Sequence, residues 1–153
     1  MTEFRITRTI AAPRDLVYEI VSDIERYPEF VPGFADARID KADERTLYVT
    51  QKVGLKAFSA RFRSVAELTP PARIKIRSTD WPFQYLQQEW TLTDLGDGRT
   101  QVVFDSSYEL VSRRVQRLVG RFLDQTLRQT VDAFERRIRQ VVARRKRHSD
   151  GAP

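Results

Sequence analysis

The sequence predicts an α+β fold in which a curved antiparallel sheet of seven strands closes around a long C-terminal helix. Three observations carry the prediction. An alternating segment at the N-terminus is followed by a short amphipathic helix. Six alternating segments then follow one another between Phe34 and Leu110, joined by links too short for parallel crossovers. A single amphipathic stretch from about Ser112 to Arg144, about 33 residues, comes last.

Residues 3–10 place Phe4, Ile6 and Ile10 on one face and Glu3, Arg5, Thr7 and Thr9 on the other, the pattern of a half-buried strand. Ala12-Pro13 then opens a helix, with Pro13 expected at its first position and Asp15 in its first turn. Leu16, Val17, Ile20, Val21 and Ile24 form one apolar face, and Pro28 is expected to limit the helix. Pro32 ends the short turn or second helix that follows. Strands are expected over 34–41, 45–53, 56–69, 73–79, 84–95 and 99–110. Asp43-Glu44, Gly54, Pro70-Pro71, Trp81-Pro82 and Gly96-Asp97-Gly98 mark the breaks. The last helix, roughly 50 Å long at ~1.5 Å per residue, carries a stripe of Val115, Leu118, Val119, Phe122, Leu123, Thr126, Leu127, Val131, Phe134, Ile138, Val141 and Val142. Gly120 inside it permits either close contact with the sheet or a slight bend. A curved sheet cannot lie flush along a straight helix, so this arrangement implies a gap between the two, where ligands bind.

At 153 residues the chain has the size of one domain, expected over 1–143 and followed by a basic, disordered tail over 144–153. Charges interrupt every apolar run well short of a membrane span. The N-terminus lacks the apolar core of a signal peptide, and there is no cysteine, so a cytoplasmic protein is expected. From Val111 onward 12 basic residues face 4 acidic ones, while the first 110 residues hold 15 basic and 17 acidic, so the formal +6 belongs to the last helix and tail. Such a stripe points to a polyanionic surface, anionic lipid or RNA. A solvated helix face with a solubilising tail accounts for the same pattern without a partner.

The inward faces are expected to be Leu47, Val49 and Gln51; Phe58, Ala60, Phe62 and Ser64; Ile74, Ile76 and Ser78; Leu86, Gln88, Trp90 and Leu92; and Val102, Phe104, Ser106 and Tyr108. Gln51, Ser64, Gln88 and Ser106 interrupt an otherwise apolar surface, where an unpaired amide or hydroxyl costs about 1–3 kcal/mol. Either a ligand with carbonyl groups at one end satisfies them, or backbone and water do. The one histidine, His148, lies in the tail, and Asp105, Glu89 and Glu109 read outward. Tyr85 and Tyr108 could donate to a carbonyl. No metal-ligand cluster, phosphate loop or nucleophile elbow appears, so binding without catalysis is expected and no metal.

Two segments set aromatics beside prolines: Tyr27-Pro28-Glu29-Phe30-Val31-Pro32, and Trp81-Pro82-Phe83-Gln84-Tyr85-Leu86 running on to Trp90. They resemble the coenzyme Q-binding, polyketide cyclase-like branch of the START (SRPBCC, helix-grip) superfamily. That family carries Tyr-Pro-x-Phe-Leu/Val-Pro after its first helix, matched by Tyr27, Pro28, Phe30, Val31 and Pro32. It also carries Gly-Pro-Phe-x-x-Leu-x-x-x-Trp near the middle, matched by Pro82, Phe83, Leu86 and Trp90. The resemblance spans roughly residues 3 to 142 and departs at Gly33-Phe34 and at Trp81, which replaces the usual glycine.

The resemblance implies a carrier of a hydrophobic molecule, a polyprenyl quinone such as ubiquinone or another isoprenoid lipid, supporting respiratory electron transport. Phe30, Val31, Phe34, Trp81 and Phe83 would form the mouth, with Phe62, Leu86, Trp90, Phe104 and Phe122 as walls. Gln51, Gln88, Ser106 and Tyr108 would meet the headgroup, and Phe83→Asp is expected to lower ligand retention without unfolding the chain. Arg113, Arg114, Arg117, Arg121, Arg144, Arg145, Lys146 and Arg147 would contact anionic membrane on its inner face, or RNA, with no role for DNA. Some bacterial members are ribosome-association toxins that bind the large subunit and block its joining with the small one; others are polyketide cyclases or aromatases. These two remain the alternative readings.

Overall fold

The computed structural model describes residues 2–55 and 58–150, of which residues 55, 58, 149 and 150 by their backbone alone. The strand start expected at 56–57, the inward side chain expected of Phe58, and the end of the tail at 151–153 lie outside that description. In chain order the elements are β1 (Thr2–Ile10), α1 (Arg14–Ser22), a 3-10 helix (Ile24–Glu29), β2 (Phe34–Ala42), β3 (Thr46–Leu55), β4 (Phe58–Thr69), β5 (Arg73–Ser78), β6 (Phe83–Gly96), β7 (Arg99–Leu110) and α2 (Arg113–Asp150). The strands form one seven-stranded sheet of order β1-β7-β6-β5-β4-β3-β2, antiparallel throughout and wrapped around α2. This is the helix-grip arrangement.

Local chemistry sets the boundaries. Pro13 stands one position earlier than expected, in extended conformation (φ −66°, ψ 147°) as the N-cap of α1. Thr100, fully buried, donates its hydroxyl to the Ala12 carbonyl at 2.7 Å and ties the entry of α1 to β7. The apolar face of α1 buries Leu16, Val17 and Val21. The helix ends at Ser22, well before Pro28, and the chain tightens into the 3-10 turn that contains that proline. A residue without an N–H that disfavours helical geometry in its predecessor fits the shorter hydrogen-bond ladder better. The Glu25 carboxylate accepts the Ile39 N–H at 2.9 Å and pins this turn to β2. Between β6 and β7, Gly96, Asp97 and Gly98 take φ of 81°, 56° and 72°, a left-handed run in which glycine is least strained.

Ser112 caps the start of α2, its hydroxyl accepting the Val115 N–H at 3.2 Å. Its C-terminal end departs from expectation. The helix does not give way to a disordered tail at Arg144 but continues through Arg144-Arg145-Lys146-Arg147 to Asp150. Arg and Lys are good helix formers, and cations in the last turns complement the helix dipole. A second departure is Leu118, expected on the buried stripe and found 69% exposed. It lies ~140° around the helix from Leu123, at ~100° per residue, outside the sector that the sheet covers.

The core has two parts. One joins α1, the 3-10 turn, the sheet and the C-terminal half of α2 through Val17, Tyr27, Ile74, Trp90, Phe104, Phe134 and Ile138. The other joins β4, β6 and β7 to the N-terminal half of α2 through Phe62, Phe83, Leu86, Tyr108, Leu110, Val119 and Leu123.

What lies nearest Gly120 is a side chain of its own helix. A methyl group there would run into the end of its own helix's Gln116 side chain, 2.0 Å from Nε2. That side chain is exposed and free to swing away. Gly120→Ala should therefore raise stability by roughly 0.5–1 kcal/mol through helix propensity. An upward shift of the urea midpoint at unchanged slope is the expected result.

Candidate ligand cavity and basic helix

The gap falls at the seam between the two core clusters. A cavity of about 70 Å³ lies between sheet and α2. Tyr27, Val31, Trp90, Phe104 and Phe134 line it from the first cluster, and Phe62, Phe83, Leu86 and Leu123 from the second. Phe134 closes one side. Its ring meets Trp90 at 4.8 Å, Phe30 at 5.0 Å and Tyr27 at 5.1 Å between centroids, each edge-on, and Trp90 continues to Phe104 at 4.5 Å. Phe62 and Phe83, 5.1 Å apart, close the other. Aromatic side chains that bury large area and interlock edge to face leave little free volume.

Polar groups at the cavity are amides and hydroxyls: Gln51, Ser64, Gln88, Thr126 and Thr130. Ser64 donates its hydroxyl to Oε1 of Gln51 at 2.8 Å, so two of the four polar residues on the inward face satisfy each other without a ligand. Of the outward carboxylates, Asp105 is paired with Arg5 at 2.6 Å and Glu89 with Arg73 at 3.1 Å. The cavity wall also holds Tyr27, whose phenol burial pushes well above its ordinary pKa and keeps protonated. It donates to the Val21 carbonyl and so joins the 3-10 turn to α1. Among the described residues no group of His, Cys, Asp and Glu is placed to hold a metal ion.

The expected ligand-binding residues separate. Val31, Phe34, Gln51, Phe62, Phe83, Leu86, Gln88, Trp90 and Phe104 line the cavity. Phe30 does not: its ring packs on the far side of Phe134, under the Arg137 guanidinium at 5.0 Å. Trp81 stands outside, 50% exposed. Ser106 and Tyr108 face inward and are buried but do not line the cavity; the Ser106 hydroxyl has no hydrogen-bond partner among the described residues, and burial raises the Tyr108 phenol above its ordinary pKa. Phe122 is half-buried beside the second cluster. Tyr27, in the first of the two aromatic–proline segments, is on the cavity wall, and so are Leu123, Leu127 and Phe134, to which sequence reasoning assigned no site role. The signal was present in the helix: Leu123, Thr126, Leu127, Thr130 and Phe134 recur at helical spacing.

The cations of α2 divide into two kinds. Arg137 reaches Glu29 at 2.7 Å, Arg128 reaches Asp124 at 3.0 Å, Arg139 reaches Glu135 at 2.7 Å and Arg145 reaches Glu19 at 3.5 Å. Arg145, expected to meet a polyanion, is thus engaged with α1. Among the described residues Arg113, Arg114, Arg117 and Arg121 near the start of the helix, and Arg136, Arg144, Lys146 and Arg147 toward its end, form no ion pair, and all eight are exposed. Among the described residues no helix is long and apolar enough to cross a membrane.

The family model described as polyketide cyclase / dehydrase and lipid transport matches residues 10–135. The ribosome association toxin RatA of Vibrio cholerae is 28% identical over 125 residues, covering 82% of this chain and 87% of its own. The mitochondrial coenzyme Q-binding protein coq10 of Schizosaccharomyces pombe is 23% identical over 115 residues, covering 72% and 70%. Among solved structures, the Zhui aromatase/cyclase from Streptomyces sp. R1128 superposes with a TM-score of 0.81 at 19% identity, over 92% of this chain and 95% of its own.

Two expectations follow from the packing. Phe83 is 3% exposed between Phe62 and Tyr108, so it is core and not a lip of the cavity. A carboxylate there loses its hydration with no partner, and Phe83→Asp should unfold the protein at ordinary temperature, against the sequence-based expectation; circular dichroism reads this directly. For Tyr27 the folded pKa is raised above the ordinary 10.0. Stability is therefore fully present below that value. It declines as the pH rises toward the folded pKa, because only the unfolded chain gives up the proton. Tyr27→Phe should flatten this alkaline decline in urea titrations.

Proposed function

The chain belongs to the polyketide cyclase/dehydrase and lipid transport family, and on that footing we propose that it associates with the ribosome, binding the large subunit through the cationic end of α2. One observation carries the reading. Arg136, Arg144 and Arg147 fall within one ~80° sector of the helix, with Lys146 adjoining, all exposed and without acidic partners among the described residues. No large apolar side chain stands exposed beside them. Cations alone on a rigid rod suit the phosphate backbone of RNA. The similarity to a ribosome association toxin, higher and over more of the chain than that to the coenzyme Q-binding protein, supports the same reading. So does the size of the cavity, about 70 Å³ against the ~300–1,000 Å³ of typical ligand pockets. The role is one of binding without turnover, in keeping with a cavity whose polar side chains are amides and hydroxyls.

A second reading, carriage of a hydrophobic ligand, is favoured by the cavity itself. It is apolar, sits between sheet and terminal helix, and is of the kind this fold uses for hydrophobic molecules. A polyprenyl quinone would need Phe83, Leu123 or Phe134 to move aside. Organic extraction of the freshly purified protein followed by mass spectrometry tests it, and a stoichiometric isoprenoid would move the carrier to first place.

Ribosome association is tested by co-sedimentation with isolated subunits over a range of salt. Binding to the large subunit should fall steeply as salt rises. Replacing Arg136, Arg144, Lys146 and Arg147 by Gln removes up to four phosphate contacts and should reduce the slope of log K against log salt by about 3–4. Sedimentation that ignores both salt and these substitutions would rule the reading out.

A further inference from the structure

We propose that the opposite end of the molecule, where α2 begins, is a docking surface for an anionic lipid bilayer. The proposal is independent of ribosome association, which uses the other end of the helix. The Val111 N–H donates to the Pro82 carbonyl at 3.0 Å, which sets the β5–β6 connection and its Trp81 beside the start of α2. Trp81 is 50% exposed, Val111 38% and Leu118 69%. Only five large hydrophobic residues are exposed among those described, and three of them are here. Single exposed apolar residues are ordinary, whereas a group of them rimmed by charge marks an interaction surface.

The rim is cationic. Arg113, Arg114, Arg117 and Arg121 fall within a ~100° sector of the helix, and Leu118 borders it ~40° further round. Two of these arginines occupy the first turn of α2, which contains no acidic residue. Cations there oppose the helix dipole, so the arrangement works against helix stability unless an anion is brought to it. Phosphate supplies that anion, and the apolar residues decide which phosphate. An RNA backbone offers nothing to the side chains of Leu118 and Val111, whereas a bilayer takes the aliphatic groups below its headgroups, the indole at their level and the guanidinium groups among the phosphates. The other end of α2, with cations and no exposed apolar neighbours, lacks this combination.

The protein carries its own reporter. Of its two tryptophans, Trp90 is 2% exposed in the core, so a change in emission on binding reports Trp81. The full chain is mixed with phosphatidylcholine vesicles with and without phosphatidylglycerol, and flotation and emission are read together. Flotation with the anionic vesicles only, with a blue shift, is expected. Leu118→Ser should weaken binding roughly tenfold or more through lost apolar burial. Replacing the four arginines by Gln should weaken it about a hundredfold or more. All these side chains are exposed, and unchanged far-UV circular dichroism verifies the fold. Failure to float overturns the proposal. So does flotation without a blue shift and insensitive to Leu118→Ser, which is electrostatic adsorption alone. If purified ribosomal RNA shields Trp81 from acrylamide and vesicles do not, the surface belongs to nucleic acid and the proposal falls.

Discussion

The structure depends on how a straight helix is held by a curved sheet. Contact is made at two places along α2, and Phe134 is the firmer of them. Its ring is gripped edge-on by Trp90 of β6, by Tyr27 of the 3-10 turn and by Phe30 just beyond it. Val119 and Leu123 make the second contact, against Phe62, Phe83, Leu86 and Tyr108. Between the two the surfaces diverge, and the cavity is what remains. Its position follows from the spacing of two clusters along one helix, and its small volume from the size of the aromatics on either side. The 3-10 turn matters for the same reason: Tyr27 and Phe30 must be delivered to Phe134, and the hydrogen bonds of Tyr27 to Val21 and of Ile39 to Glu25 hold that turn between α1 and β2.

Charge on α2 is arranged along the same axis. Arg137 and Arg145 reach across to Glu29 and Glu19, acids on the 3-10 turn and α1, and Arg8 of β1 returns the contact to Asp132. The pairs among them exposed on both sides, Arg8 with Asp132 and Arg145 with Glu19, contribute little to stability. They do consume cations that would otherwise face solvent. What is left unpaired is sorted to the two ends of the helix, in different company: cations alone at one end, cations with indole and aliphatic groups at the other. A rod of 38 residues is about 57 Å long, so the two ends can engage separate surfaces.

Strand alternation and turn chemistry were readable because both are local. The inward pattern on β6 and β7 is the one expected from period two, and the ladder confirms it by pairing Gln88 with Ser106 and Trp90 with Phe104. The Gly96-Asp97-Gly98 turn is equally local. Reading failed where a side chain's surroundings come from a distant part of the chain. Trp81 and Phe83 belong to one motif, yet one is half exposed and the other sealed in the core. Gln51 and Ser64, which invited a ligand headgroup, have each other, because the β3–β4 register sets them diagonally across two strands.

By itself the sequence determined the element order, the antiparallel sheet, the inward faces, the concentration of charge on the last helix and the likeness to a helix-grip family. The first four rest on periodicity, backbone restriction and composition, which act over a few residues, and the likeness rests on the two aromatic–proline motifs. Tertiary structure alone decided that the gap closes to about 70 Å³, that Leu123, Leu127 and Phe134 wall it, that Leu118 faces water, and which arginines keep their charge free. Each of these depends on which surface lies opposite a residue across the helix–sheet seam, and that surface is supplied by parts of the chain far away in sequence.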